Sequence, residues 1–87
     1  MTMNVLRDEI NSIDEQLLAL FLRRMDVVQS IGLYKKEHGL PIVDKNREAE
    51  ILAKMTESVP DDMRTNVRTL FVSLFEMSRA VQSETAL

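Results

Sequence analysis

The 87-residue chain contains no cysteine and no tryptophan, and it has one histidine, two glycines and two prolines. Without cysteine there is no disulfide framework, no zinc–thiolate site and no thiol nucleophile. No uncharged run approaches the roughly 20 residues that a membrane span needs, and the first residues lack the apolar stretch of a signal peptide. The sequence therefore predicts a cytoplasmic protein with a single domain, residues 1–87.

The charge balance is mildly acidic, with a formal net charge of −3. Lysine and arginine are spread along the chain rather than gathered in a block, so a nucleic acid is not expected as a partner. A small anionic ligand remains compatible with this balance. It requires that the cations binding it lie together in a local pocket.

Apolar residues recur at three- and four-residue steps in three segments, and no segment shows the alternation typical of strands. The predicted helices cover approximately residues 4–38, 44–58 and 60–84. Gly39, followed by Pro41, is expected to end the first helix. Asp44 is expected to cap the second, and Pro60 to lie in the first turn of the third. The predicted fold class is all-α, with three helices of which one is very long.

The length of the first helix predicts an association. About 35 residues span roughly 52 Å at 1.5 Å per residue, whereas a compact chain of this size is roughly 30 Å across. The helix would extend beyond its own globule with its apolar stripe exposed. A second, antiparallel copy is the simplest cover, because twofold dimers are the commonest oligomers. Gly32, inside this helix, costs about 1 kcal/mol relative to alanine; a close backbone approach would explain it, and so would evolutionary drift.

Polar side chains fall on the predicted inward face of each helix. Arg24 and Lys35 lie on the centre line of the first stripe, about 16 Å apart along the axis. Glu48 lies within the apolar arc of the second helix, and Ser78 lies at the centre of the third stripe with Gln82 one turn on. Snorkelling, an ion pair between helices or a bond to the helix's own backbone explains any one of these residues. As a set, they are the groups that an anionic, hydroxylated ligand needs inside a helical bundle.

Other candidates carry less chemistry. His38 lies beside the Gly39 turn with no metal-ligand companion, and the pattern contains no Gly-rich phosphate loop and no Ser-His-Asp set. Arg79 is interpreted as a surface charge, although its position beside Ser78 would also allow it to reach the mouth of a site.

Several short motifs lie along the chain between about Val5 and Gln82. They are Leu6-Arg7-Asp8-Glu9-Ile10, Ile13-Asp14 with Leu17-Leu18, Arg24, Ile31-Gly32-Leu33-Tyr34-Lys35, Pro41-Ile42-Val43-Asp44, Arg47-Glu48 and Ser78-Arg79-Ala80-Val81-Gln82. This ordered set resembles the all-helical chorismate mutases. The resemblance implies an intertwined homodimer that rearranges the dianion chorismate to prephenate without a cofactor or metal, in the biosynthesis of phenylalanine and tyrosine.

The resemblance also implies roles for individual residues. Arg24 and Arg47 would hold the substrate carboxylates, and Arg7 would reach into the site of the other subunit. The spacing agrees, since Arg7 precedes Arg24 by 17 residues, about 25 Å on a straight helix. Lys35 and Gln82 would donate to the ether oxygen of the breaking bond. The remaining implied roles are the ring-hydroxyl acceptor Glu48, the carboxylate binder Ser78, the edge residue Asp44 and the apolar walls Ile31, Phe75 and Val81.

Two alternatives remain open at this point. An isochorismate-pyruvate lyase of the same fold would use similar cations, although the intact Asp44-x-x-Arg47-Glu48 set favours the mutase. A non-catalytic helical dimerisation or regulatory module would instead use Arg24, Lys35 and Glu48 only as ion-pair partners of one another. Arg79 departs from the pattern, because some family members have an apolar wall residue at this position.

Overall fold

The computed structural model describes residues 1–86, and within this range every regular element is helical. The elements are α1 (Met3–His38), α2 (Lys45–Glu57), a short 3₁₀ turn (Asp61–Met63) and α3 (Arg64–Ala86). The predicted all-α class with one very long helix is confirmed. Both ends of α1 and α2 fall within one residue of their predicted positions.

The helix ends follow from local side-chain chemistry. At the start of α1, the hydroxyl of Thr2 accepts a hydrogen bond from the Val5 amide at 3.3 Å. Gly39 ends α1 in the left-handed conformation, φ 63°, as predicted. Asp44 caps α2, since its carboxylate accepts from the Arg47 amide at 3.0 Å. The predicted end of α1 at Gly39 and the predicted cap of α2 at Asp44 are therefore confirmed.

The start of α3 differs from its prediction. Pro60 does not lie in the first helical turn; its backbone is extended, with ψ 152°, and its carbonyl accepts from the Met63 amide at 3.0 Å. This bond closes the 3₁₀ turn, and α3 begins only at Arg64. The Arg64 side chain ties this corner to α2 by donating from Nε to the Thr56 carbonyl at 3.2 Å. The extra turn thus brings α3 back alongside α2.

α3 is the central helix of the fold, because it packs against both α1 and α2. It approaches α1 closely at Gly32, where an added Cβ would lie 3.2 Å from Gln82 Cα and 3.3 Å from Thr85 Cβ. A close backbone approach therefore explains this mid-helix glycine. The same contact sets Lys35, one turn further along α1, beside Gln82.

The single chain is elongated and has little interior. Its extents are 54 × 26 × 15 Å and its radius of gyration is 16.2 Å, against roughly 12 Å for a compact chain of this length. In residues 1–85, whose side chains are described, the buried large apolar side chains are Val28 and Phe75. The exposed apolar residues of α1 include Leu6, Ile10, Ile13, Leu17, Leu20, Val27 and Ile31. The predicted exposure of the α1 stripe in one chain is confirmed except at Val28, which is buried within the chain itself.

None of the described helices combines the length and the apolar character that crossing a membrane requires.

Candidate active site

A polar pocket of about 450 Å³ opens between the three helices. Its lining contains four cationic side chains, two carboxylates, one hydroxyl and one amide, set among apolar groups. The polar lining residues are Arg24, Lys35, Arg47, Arg79, Asp44, Glu48, Ser78 and Gln82. The apolar lining residues are Val27, Val28, Ile31, Ile42, Ile51 and Phe75. The four described cations outnumber the carboxylates, so the formal charge of the pocket is +2.

Arg24 is fixed at the contact between α1 and α3. Its Nη1 donates to the Ser78 hydroxyl at 2.6 Å, and that hydroxyl donates to the Leu74 carbonyl at 2.6 Å. Ser78 is 7% exposed, so the interaction is shielded from solvent on the α3 side. The guanidinium has five N–H donors and this bond uses one. Arg24 therefore keeps donors for an anion in the pocket.

Lys35 and Gln82 form the second polar contact between α1 and α3. Lys35 Nζ donates to Gln82 Oε1 at 3.0 Å and to the Ile42 carbonyl at 2.8 Å. An ammonium only donates, so the amide must face it with its oxygen, which leaves the Gln82 NH₂ group as a donor. Lys35 likewise keeps one of its three N–H groups. Two donors thus remain at one spot in the pocket wall.

Glu48 and Arg79 form an ion pair between α2 and α3. Arg79 Nη1 lies 2.7 Å from Glu48 Oε1 and 2.6 Å from Oε2. The Arg79 side chain is 33% exposed and the Glu48 side chain 24%. In the described part of the chain, Arg24 and Lys35 have no carboxylate within 4.0 Å. The ion pairing among Arg24, Lys35 and Glu48 that the non-catalytic alternative requires is therefore not the arrangement of this chain.

Arg47 and Asp44 lie at the rim of the pocket. Both are exposed, and Arg47 approaches Glu50 one turn away at 3.6 Å. Since the Asp44 carboxylate already accepts the Arg47 amide as a helix cap, its position is set by the start of α2. Among the described residues, the ion pair of the Arg47 guanidinium is this solvent-exposed one, which constrains it weakly.

Of the four remaining predicted site residues, two line this pocket and two do not. Phe75 and Ile31 line the pocket, Phe75 buried and Ile31 exposed. Val81 is half-buried but does not line it, and Arg7 is exposed in the first turns of α1, outside the lining of this pocket.

Arg79 is the lining residue whose role sequence reasoning underrated. At 100° per residue, Gln82, Phe75 and Arg79 lie about 40°, 60° and 100° from Ser78 in one direction. Val81 lies about 60° in the other direction. The arc facing the pocket is therefore centred between Gln82 and Phe75, rather than on Ser78. A centre placed there would have included Arg79 and left out Val81.

The described residues contain no group of three or more histidine, cysteine, aspartate or glutamate side chains that could hold a metal ion. The donor chemistry of the pocket instead suits an organic anion, because guanidinium, ammonium, hydroxyl and amide N–H groups bind carboxylate and ether oxygens.

Fold and site together define a class: an all-helical protein with a cationic pocket for a small polar ligand between its helices. The family model described as chorismate mutase type II matches residues 6–83. The chain belongs to the chorismate mutase type II family, as the resemblance in its motifs predicted.

Curated relatives share this segment as part of longer chains. A T-protein of Enterobacter agglomerans is 37% identical over 70 residues, covering 75% of this chain and 19% of the relative. A T-protein of Haemophilus influenzae is 45% identical over 47 residues, covering 54% and 12%. A 3-dehydroquinate dehydratase of Pyrobaculum aerophilum is 31% identical over 77 residues, covering 88% and 23%. The chain thus spans less than a quarter of each relative, and no solved structure matches it significantly.

Proposed function

We propose that this chain catalyses the unimolecular rearrangement of chorismate to prephenate, a step towards phenylalanine and tyrosine, in the cytoplasm. The observation that carries the proposal is the convergence of Arg24, Lys35 and Gln82 on one pocket of about 450 Å³, in a chain of the chorismate mutase type II family. The proposed catalyst is a single domain, residues 1–87.

Charge balance supports a dianionic substrate. Chorismate carries two carboxylates, and the described pocket has a formal charge of +2. In the proposal, Arg24 binds one carboxylate with Ser78 beside it, and Arg47 closes on the other from the rim. Their separation on different helices would hold the substrate in the folded, chair-like shape that the reaction needs, which removes part of the entropic barrier.

The proposed rearrangement requires hydrogen-bond donors rather than a nucleophile, a metal or a cofactor. As the C–O bond breaks ahead of C–C bond formation, negative charge grows on the ether oxygen. The remaining N–H of Lys35 and the NH₂ group of Gln82 are the proposed donors to that oxygen. Because the two side chains already fix each other at 3.0 Å, they need little reorganisation and stabilise the transition state more than the bound substrate.

Glu48 and the apolar wall complete the proposed site. Each Glu48 oxygen accepts from Arg79 and keeps a further acceptor direction, so the carboxylate remains able to accept the ring hydroxyl of chorismate. Phe75 and Ile31 would pack against the ring and exclude water. Val81, assigned to this wall by the resemblance, lies outside the described lining of this pocket.

We further propose that the working form is an intertwined homodimer with Arg7 of each subunit in the site of the other. A second groove, about 530 Å³ and almost wholly apolar, lies between α1 and α3. Its apolar lining comprises Leu17, Leu18, Leu20, Phe21, Leu70, Phe71, Leu74 and Met77. Arg24 lines both this groove and the polar pocket, so a partner helix seated in the groove would pass beside the site.

The test is incubation of the purified chain with chorismate, followed by absorbance, with the product identified by chromatography. We expect prephenate and no salicylate. A parallel incubation with isochorismate addresses the lyase alternative: salicylate and pyruvate there, without prephenate from chorismate, would reassign the function. Turnover of neither substrate by a folded, associated protein would favour the non-catalytic module.

A further inference from the structure

The ion pair between Arg79 and Glu48 has no step of its own in the proposed reaction. The other two ion pairs in the described residues join positions three apart in sequence, whereas this one joins positions 31 apart on α2 and α3. It is also the least exposed of the three. Partial shielding from water strengthens the attraction relative to a surface pair.

The contact with Arg79 fixes the orientation of the Glu48 carboxylate and leaves acceptor positions on its oxygens open. One nitrogen, Arg79 Nη1, contacts both carboxylate oxygens at 2.6 and 2.7 Å, which restricts the orientation of the carboxylate. Each oxygen has two lone pairs and gives one to this contact. Glu48 therefore presents open acceptor positions from a fixed orientation, instead of searching several rotamers when a ligand arrives.

The pair also sets the charge that an incoming ligand meets. With Arg79 the described pocket lining has a formal charge of +2, and without it the charge would be +1, with the Glu48 carboxylate uncompensated inside the pocket. Without the Arg79 guanidinium beside it, the Glu48 carboxylate would repel a dianionic ligand at the point where the hydroxyl of that ligand must bind. Arg79 thus offsets the electrostatic cost of having a carboxylate in an anion site.

We propose that Arg79 is a positioning and specificity-determining residue: it orients Glu48 to accept a ligand hydroxyl and cancels the charge of Glu48, so that the pocket selects a hydroxylated dianion. The inference rests on the proposed function, whose substrate is such a molecule. Arg79 affects mainly substrate binding, because the hydroxyl is bound in the ground state and in the transition state alike. Loss of Arg79 should therefore raise KM more than it lowers kcat.

The test is a double-mutant cycle on chorismate kinetics with wild type, R79L, E48Q and R79L/E48Q. We expect R79L to raise KM about tenfold in the wild-type background, with kcat changing less than about threefold. In the E48Q background, where there is no carboxylate to orient or neutralise, R79L should raise KM no more than about threefold. The R79K variant, which restores a cation, should return KM to within about threefold of wild type.

A purely structural link between α2 and α3 would behave differently. R79L would then lower the thermal midpoint, and it would change KM by the same factor in the wild-type and the E48Q backgrounds. R68L is the matched control, an exposed arginine on the same helix with no described hydrogen bond or ion pair, and it should leave KM unchanged. If R79L does not fold, R79Q replaces it in the cycle with the same expected factors.

The outcomes separate the two proposals. If wild type does not convert chorismate, the proposed function fails and this inference fails with it. If wild type is active and R79L has the KM of R68L, the function stands and the role of Arg79 is refuted. Equal KM factors for R79L in both backgrounds would likewise refute it, because Arg79 would then act independently of Glu48.

Discussion

Within the part of the chain that the structure describes, Lys35 makes two hydrogen bonds, to Gln82 and to the Ile42 carbonyl, and keeps its third N–H. The first two bonds fix where the ammonium lies. The third is the group that the proposed mechanism uses. A residue held this firmly contributes both to the local structure and to the chemistry, and the two contributions are separable by measurement.

Lys35→Ala should therefore abolish most turnover while the protein stays folded. Loss of one preorganised donor to a developing oxyanion costs roughly 10²–10³ in rate, whereas loss of the bond to the Ile42 carbonyl costs about 1 kcal/mol of stability. Steady-state kinetics and thermal unfolding of the same preparation measure the two effects. Lys36→Ala, at the exposed neighbouring position, is the control and should match wild type. A Lys35→Ala variant with wild-type kcat would contradict the assigned role.

Gln82→Glu should convert a pH-independent donor into a titrating one. The amide donates without needing a proton from solution, so wild-type activity should not require acidic pH. A glutamate at this position only accepts when ionised, and it regains a donor when protonated. The activity of the variant should therefore rise as the pH falls, while that of wild type should not. Rate measurements from about pH 4, near the ordinary pKa of a glutamate carboxyl, to about pH 8 compare the two profiles. Parallel profiles would mean that this side chain does not donate in the reaction.

The sequence predicts those site residues that are recognisable from the periodicity of their own helix. It does not predict contacts that depend on how two helices pack. Arg24, Lys35, Glu48 and Gln82 stand out because a polar group on an apolar arc is visible from periodicity alone. The partner of Glu48 is not visible in this way. Its pairing with Arg79 depends on how α2 crosses α3, and helical periodicity contains no information about that crossing.

At the scale of the helices, the two glycines of the chain serve different needs. Gly39 has φ 63° with nothing within 4 Å of an added Cβ, whereas Gly32 is helical and faces Gln82 at 3.2 Å. The first is a requirement of backbone conformation and the second a requirement of space. Substitution with alanine should distinguish them.

Gly32→Ala should impair activity more than stability. The added methyl group improves helix propensity by about 1 kcal/mol and overpacks the contact at a cost of about 1–3 kcal/mol. The contact atom is Gln82 Cα, which cannot rotate away, so α3 must shift and carry Gln82 with it. We expect a small net loss in the free energy of unfolding and a loss of kcat of about tenfold or more.

Gly39→Ala is the matched comparison. Alanine in the left-handed region costs roughly 1 kcal/mol of stability, and no neighbouring atom needs to move. Its kcat should remain close to that of wild type. Chemical denaturation and steady-state kinetics on both variants test the contrast; a Gly32→Ala enzyme with full kcat would show that α3 tolerates the shift.

The helix boundaries show which local signals suffice. Gly39 and Asp44 act on the backbone within three or four residues, and the ends that they mark agree with prediction. Pro60 is compatible with several helix starts, since its fixed φ suits both a first helical turn and the residue before a 3₁₀ turn. The 3₁₀ turn found here is accompanied by the hydrogen bond from Arg64 to the Thr56 carbonyl eight residues back. No local pattern predicts this tertiary contact.

At the scale of the whole molecule, the exposed α1 stripe and the apolar groove beside α3 predict self-association. The single chain is 54 Å long with very few buried apolar side chains among those described. We expect sedimentation equilibrium to give about twice the 10.0 kDa mass of the chain. A 10.0 kDa species at the concentrations of the activity assay would refute the dimer.

Mixing two inactive variants tests the exchange of Arg7 between subunits. Arg7→Ala and Lys35→Ala should each be inactive alone. In a mixed dimer, one site would contain Lys35 of the first chain and Arg7 of the second, and would be intact. Equimolar refolding should therefore restore about a quarter of wild-type activity, since half of the dimers are mixed and each has one working site. No recovery from mixtures shown to contain mixed dimers would place Arg7 in its own subunit's site, whereas an Arg7→Ala variant that is active alone would place it outside both sites.

The apolar stripe on α1 also bears on how this protein tolerates mutation. In the proposed dimer, a twofold axis presents the same stripe from both copies, so one altered codon changes the interface at two places. A substitution that weakens one contact by a given amount would cost the assembly about double that amount. Variation across homologues should accordingly be more restricted on this stripe than on the opposite, solvated side of the same helix.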